Sequence, residues 1–65
     1  MDNNKARVRK IIIKLGKEQG EVIPISEIVL LAEEIDEKIV METIDELEQD
    51  GFVSYLNKES IELNM

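Results

Sequence analysis

DEKIVMETIDELEQDG, residues 36–51, is the stretch whose reading decides how the rest of this chain folds. Asp36 has a short acceptor side chain suited to the free N–H groups at a helix start, and Glu37 is favoured by the positive end of the helix dipole. Val40, Ile44 and Leu47 then recur at helical spacing, flanked by Ile39 and Thr43, and form an inward stripe. Lys38, Glu42, Asp45 and Gln49 take the opposite face. Asp50-Gly51 closes the helix, because glycine enters the left-handed region without a Cβ penalty. Phe52-Val53 follows at once, so the helix runs directly into a β-prone segment.

Working back from Asp36, Pro24 opens a second helix, where its missing N–H is harmless. That helix is expected from Ile25 to Glu34. Its apolar residues wrap most of the way round, with Ile28, Ala32 and Ile35 sharing a core direction and Leu30 opposite. Val22-Ile23 is too short for an independent strand and reads as a minimal edge on a hairpin elsewhere. A first helix spans Lys5 to Gln19, capped by Asn3 or Asn4, with Val8, Ile11, Ile12 and Leu15 on one face. Gly16 is tolerated within it at some cost, and Gly20 stops it. Ile13 points away from the stripe, either exposed or covered by the C-terminal strand.

Working forward, Phe52–Leu56 and Ser60–Leu63 are β-prone runs around an Asn57-Lys58-Glu59 turn, which makes a hairpin. The order is helix, short strand, helix, helix, strand, strand. The expected fold class is therefore mainly α with a small β-hairpin: a winged helix-turn-helix, three helices plus a wing. Residues 1–4 form a tail and 5–65 the single domain.

Composition bounds what such a domain does. Sixty-five residues lie near the lower limit for a self-sufficient core, and 21 of them are Ile, Leu or Val, so packing carries the stability. There is no Cys and no His, which removes disulfides, the usual zinc sites and most nucleophilic chemistry. No glycine-rich phosphate loop is present, and the carboxylates lack the alternating ligands and central glycine of a calcium loop. The expectation is a non-enzymatic module with no cofactor and no metal. No membrane span or signal-peptide pattern occurs, and the lack of Cys fits a cytoplasmic setting.

The net charge of −7 is unevenly distributed. Residues 1–17 hold six of the eight basic residues, Lys5, Arg7, Arg9, Lys10, Lys14 and Lys17. The rest of the chain holds almost all the acids. Two uses stay open for the basic helix: steering a partner, or balancing acidic neighbours inside the fold.

A helix in the major groove uses Arg, Lys, Asn or Gln for base edges and cations for phosphates. The outward positions of the 36–51 helix are Glu37, Lys38, Met41, Glu42, Asp45 and Gln49, half of them carboxylates. The hairpin adds only Lys58, set beside Glu59. DNA contact is expected to be weak or absent, and any that exists to use Arg7, Lys10, Lys14, Lys17 and Lys58. Phe52 is expected in the core, and Tyr55 half-buried on its strand. Protein binding is the remaining use. Ile13, Leu30, Lys38, Met41, Glu42 and Asp45 are the candidate partner-binding residues, with Ile13, Leu30 and Met41 expected to face outwards.

The segments RKIIIKLGKEQGEVIPISEIVLLAEE and IDEKIVMETIDELEQDGFVSYL resemble the C-terminal winged-helix domain of archaeal minichromosome maintenance (MCM) replicative helicases, over Arg9 to Leu63. The shared pattern is a basic-apolar first helix, Gly-Glu-Val-Pro-like residues before the second, an Ile-Asp-Glu turn and a Leu-Glu-x-Asp-Gly ending. The chain departs from the pattern where Glu34 replaces a glycine before Ile35. It also lacks a basic, Pro- and Gly-containing wing turn at Leu56–Glu59, and has Ser60 where an aromatic often stands. The resemblance implies a regulatory module that modulates a DNA replication motor. It also implies a protein partner: the helicase motor domain in cis, or an initiator of the Orc/Cdc6 type. The isolated domain is expected to be monomeric. The alternative is a stand-alone, small DNA-binding transcription regulator; a third reading is a dimerisation domain built on the second helix.

Overall fold

The computed structural model describes residues 3–64. Helix α1 spans Asn3–Gln19, strand β1 Val22–Pro24, helix α2 Ile25–Leu31 and helix α3 Glu37–Gln49; β2 covers Val53–Tyr55 and β3 Ser60–Leu63. Three helices and one three-stranded antiparallel sheet therefore make up the described chain, with β3 central in the order β1-β3-β2. Val22-Ile23 does form the expected edge, with Ile23 opposite Ile61. On the other side of β3, Val53 lies opposite Leu63 and Tyr55 opposite Ile61.

The helix ends follow from their caps. The Asp36 side chain accepts from the Lys38 N–H at 2.9 Å, so α3 starts where its sequence places it. Past its last residue, Gln49, and the capping Asp50, Gly51 with a φ of +84° lets the Phe52 N–H reach the Leu47 carbonyl at 2.9 Å. Helix α1 begins by Asn3, ahead of the expected Lys5, so Asn4 lies inside it and any cap falls outside the described residues. Helix α2 is shorter than expected. It stops at Leu31 rather than Glu34, because the chain must reverse before Asp36 can cap the next helix. The Ile35 N–H closes that turn on the Ala32 carbonyl at 3.0 Å.

The core sits where the three helices meet one face of the sheet. Val8, Ile12 and Leu15 of α1, Ile25 and Ile28 of α2, Val40, Ile44 and Leu47 of α3, and Ile23, Val53, Ile61 and Leu63 of the strands are all buried. Ala32 and Ile35 complete it from the α2–α3 turn, sharing the direction of Ile28 as their spacing implies. Ile11, by contrast, is only packed against the edge of this cluster. The one buried polar residue described is Thr43, whose hydroxyl donates to the Ile39 carbonyl at 2.7 Å and so leaves no unpaired group.

Gly16 has a role that its place in a helix hides. A Cβ there would stand 3.1 Å from a Leu63 methyl and 3.9 Å from Ile23. The glycine therefore lets α1 approach the sheet closely, and the helical cost is offset by that packing.

Candidate functional site: the outer faces of the helices and the hairpin

The outer face of α3 carries exposed Glu37, Lys38, Glu42, Asp45 and Gln49. Asp36 fixes where this helix starts, and the Val40-Ile44-Leu47 stripe fixes its rotation, so these positions point outward as a set. Met41 does not. It is half-buried and packed against the core, correcting the expectation that it faces solvent. It forms the floor of a groove of about 670 Å³, together with Pro24, Ile25, Ser26, Val29, Glu37, Lys58 and Glu59. The groove lies between the start of α2, the first turns of α3 and the tip of the hairpin. Ile25 N–H to Glu59 carbonyl, 2.8 Å, pins that tip to α2. Within the turn, the Asn57 side chain accepts from Glu59 N–H at 2.8 Å.

At the other end of α3, the Tyr55 hydroxyl donates to an Asp45 carboxylate oxygen. Partial burial, then the neighbouring Asp45 and Glu48, push the Tyr55 hydroxyl above its ordinary value and keep it protonated as a donor. Tyr55 as a whole is 40 % exposed, more open than a half-buried strand residue. Asp45, a candidate for meeting a partner, thus already has a partner inside the fold.

The basic residues of α1 divide into two groups. Lys5 reaches Asp50 at 2.8 Å and Glu46 at 3.7 Å on α3, and the hydrogen bond to Asp50 is the main cause raising its affinity for a proton. Arg7 pairs with Glu34 at 2.9 Å. Arg9 stacks over Phe52 with 5.1 Å to the ring centroid, inside the range of a cation–π contact. Phe52 is accordingly half-buried under an arginine rather than enclosed in the core. These contacts favour the balancing use of the basic helix. Lys10, Lys14, Lys17 and Lys58 are exposed, with no ion pair among the described residues.

The three apolar candidates do not come together. Leu30 is 70 % exposed on α2, as expected. Ile13 is half-buried, outside the core cluster, and lines a shallow surface depression with Ala6, Arg9 and Lys10 on α1. Met41 lies in the α3–hairpin groove. Four other apolar side chains are exposed instead: Leu31, Ile39, Val22 and Leu56. Leu31 was legible in part, since α2 has more apolar residues than a seven-residue helix can bury. Leu31 also lines a second groove of about 320 Å³ between α1 and the α2–α3 turn, with Arg7, Lys10, Ile11, Glu33 and Ile35.

Among the described residues, no group of three His, Cys, Asp or Glu side chains is placed to hold a metal ion. No helix of these residues is long and apolar enough to cross a membrane. Comparison with protein-family models, with curated proteins and with solved structures found no match.

Proposed function

We propose that this chain is a winged-helix module that acts by contacting protein, of the kind carried at the C-terminal end of archaeal MCM replicative helicases. In that role it modulates the ATP-driven motor in the cytoplasm and meets initiator proteins of the Orc/Cdc6 type, with weak or no DNA contact of its own. The observation that carries this reading is the outer face of α3. Glu37, Glu42 and Asp45 are exposed where a DNA reader needs cations, and Lys38 is the only basic residue of that helix. Neutralising phosphates supplies most non-specific affinity for DNA, so three carboxylates on this face work against docking there. The element order, the hairpin following α3 and the likeness of Arg9 to Leu63 support the family reading.

A second reading, a stand-alone DNA-binding regulator, draws on the exposed cations Lys10, Lys14 and Lys17 of α1 and Lys58 of the hairpin. Both readings meet in one titration. Labelled duplex DNA at about 50 mM salt is expected to bind weakly or not at all, because few phosphates are neutralised. An Orc/Cdc6-type initiator, or an MCM motor whose ATPase rate is followed, is expected to respond to the domain. Sequence-selective DNA binding that is lost on Lys38→Ala and Gln49→Ala overturns the protein-contact reading.

A further inference from the structure

The groove between α1 and the α2–α3 turn has two walls of opposite charge. Arg7 and Lys10 stand on the α1 side, Glu33 and Glu34 on the turn side, and Ile11, Ala32 and Ile35 form an apolar floor. Leu31 lines it while remaining 47 % exposed, and its neighbour Leu30 is 70 % exposed. Arg7 and Glu34 satisfy one another across the groove at 2.9 Å. Lys10 and Glu33 do not: each is exposed, and neither has an ion pair among the described residues.

We propose that this groove is where a second copy of the same chain docks, forming a two-fold dimer. A two-fold contact is self-complementary: if one residue meets a second across the axis, the second meets the first. A basic wall beside an acidic wall meets that requirement. With two copies facing each other, Lys10 of each stands opposite Glu33 of the other, and the exposed leucines are removed from water together. An acidic or a basic partner protein matches only one wall and is repelled by the other, which is why the charge pattern selects a second copy. The leucines supply most of the affinity, since exposed ion pairs contribute little, while the charges set the register. The small area available on a 65-residue chain makes this a weak, reversible dimer. The outer face of α3 lies elsewhere, so dimerisation does not depend on the role proposed for that face.

The test is sedimentation velocity of the whole chain over a range from about 10 µM to 1 mM, where associations of a few kcal/mol become visible. The expected result is a sedimentation coefficient that rises with concentration from the monomer value towards the dimer value. Leu31→Ser, at an exposed position, is expected to weaken association at least about tenfold, equivalent to 1.4 kcal/mol, with the helical circular dichroism unchanged. Lys10→Glu and Glu33→Lys are each expected to weaken it, and the double reversal to recover it, because the exchanged charges again face opposites. A concentration-independent monomer throughout the range overturns the proposal and leaves the groove to another occupant. So does association that survives Leu30→Ser with Leu31→Ser, or a double reversal that is no stronger than either single one.

Discussion

Helices α1 and α3 are alike on the inside and opposed on the outside. Val8, Ile12 and Leu15 in one, and Val40, Ile44 and Leu47 in the other, are buried aliphatic side chains of the same kinds at the same spacing. Their outer faces carry Arg7, Arg9, Lys10, Lys14 and Lys17 in α1 against Glu37, Glu42, Asp45, Glu46 and Glu48 in α3. Much of the opposition is spent within the molecule. Lys5 holds Asp50 and Glu46, Arg7 holds Glu34, and Arg9 covers Phe52. Of these outer charges, Glu37, Glu42 and Glu48 of α3 and Lys10, Lys14 and Lys17 of α1 have no ion pair among the described residues. The inner faces specify the fold, and the outer faces differ in which charges the fold leaves unpaired.

The inner equivalence can be broken most sharply by cavities. Ile12→Ala and Ile44→Ala each remove a side chain with no exposed surface and are expected to cost about 2–5 kcal/mol. A domain of this size has about 3–5 kcal/mol in all, so both variants should be largely unfolded by circular dichroism. One folded variant beside one unfolded one would show that the two stripes are not equivalent.

The next comparison concerns what each helix needs that the other does not. Asp36→Ala removes the cap of α3 and is expected to lower the urea unfolding free energy by about 0.5–2 kcal/mol. Gly16→Leu should do comparable damage in α1, about 1–3 kcal/mol, by forcing Leu63 and Ile23 off the helix. Gly16→Ala is the sharper probe. Its helical gain of about 1 kcal/mol opposes a 3.1 Å contact with a flexible Leu63 methyl, so a near-neutral result is expected.

The outer opposition is tested by reversing it. Glu37→Lys with Glu42→Lys leaves every described ion pair intact and is expected to alter stability by less than about 0.5 kcal/mol. The same pair of changes should create salt-sensitive duplex binding where the parent chain shows little, read by fluorescence anisotropy. No gain in DNA binding would mean that the acidic face is not what holds DNA off.

The smallest expected effect is on pH dependence. The Tyr55 hydroxyl and the Lys5 ammonium both bind their protons more tightly in the folded chain than at their ordinary values of 10.0 and 10.5. In each case the folded state holds the proton longer than the unfolded state. Their contribution to stability is therefore complete below pH 10.0, and it declines as the pH rises further. The urea midpoint should fall above that pH, and fall less in Tyr55→Phe, which has no hydroxyl to ionise. An identical alkaline slope in the variant would assign the effect to other groups.

Much of the fold was written into local sequence. Asp36 and Gly51 marked the ends of α3, and Pro24 and Gly20 marked the joints around β1. The i, i+4, i+7 spacings identified the buried stripe of each long helix, because a helix presents its faces with a fixed period whatever surrounds it. The acidic outer side of α3 followed from the same projection. What a period cannot say is which neighbour covers the boundary between inside and outside. Met41 is half-buried because it packs against the core where α2 and the hairpin tip flank α3, and Leu31 is left open because the chain turns after it. Gly16 looked like a tolerated weakness until the sheet was seen against it. The charge partners were equally hidden, since Arg7 and Glu34 are 27 residues apart and meet only when α1 lies across the α2–α3 turn. The sequence by itself determined the buried stripes Val8-Ile12-Leu15 and Val40-Ile44-Leu47 and the start and stop of α3, since those depend on backbone period and cap chemistry within a few residues. Only the tertiary structure decided which charges and apolar side chains remain free, since that depends on the approach of segments far apart along the chain.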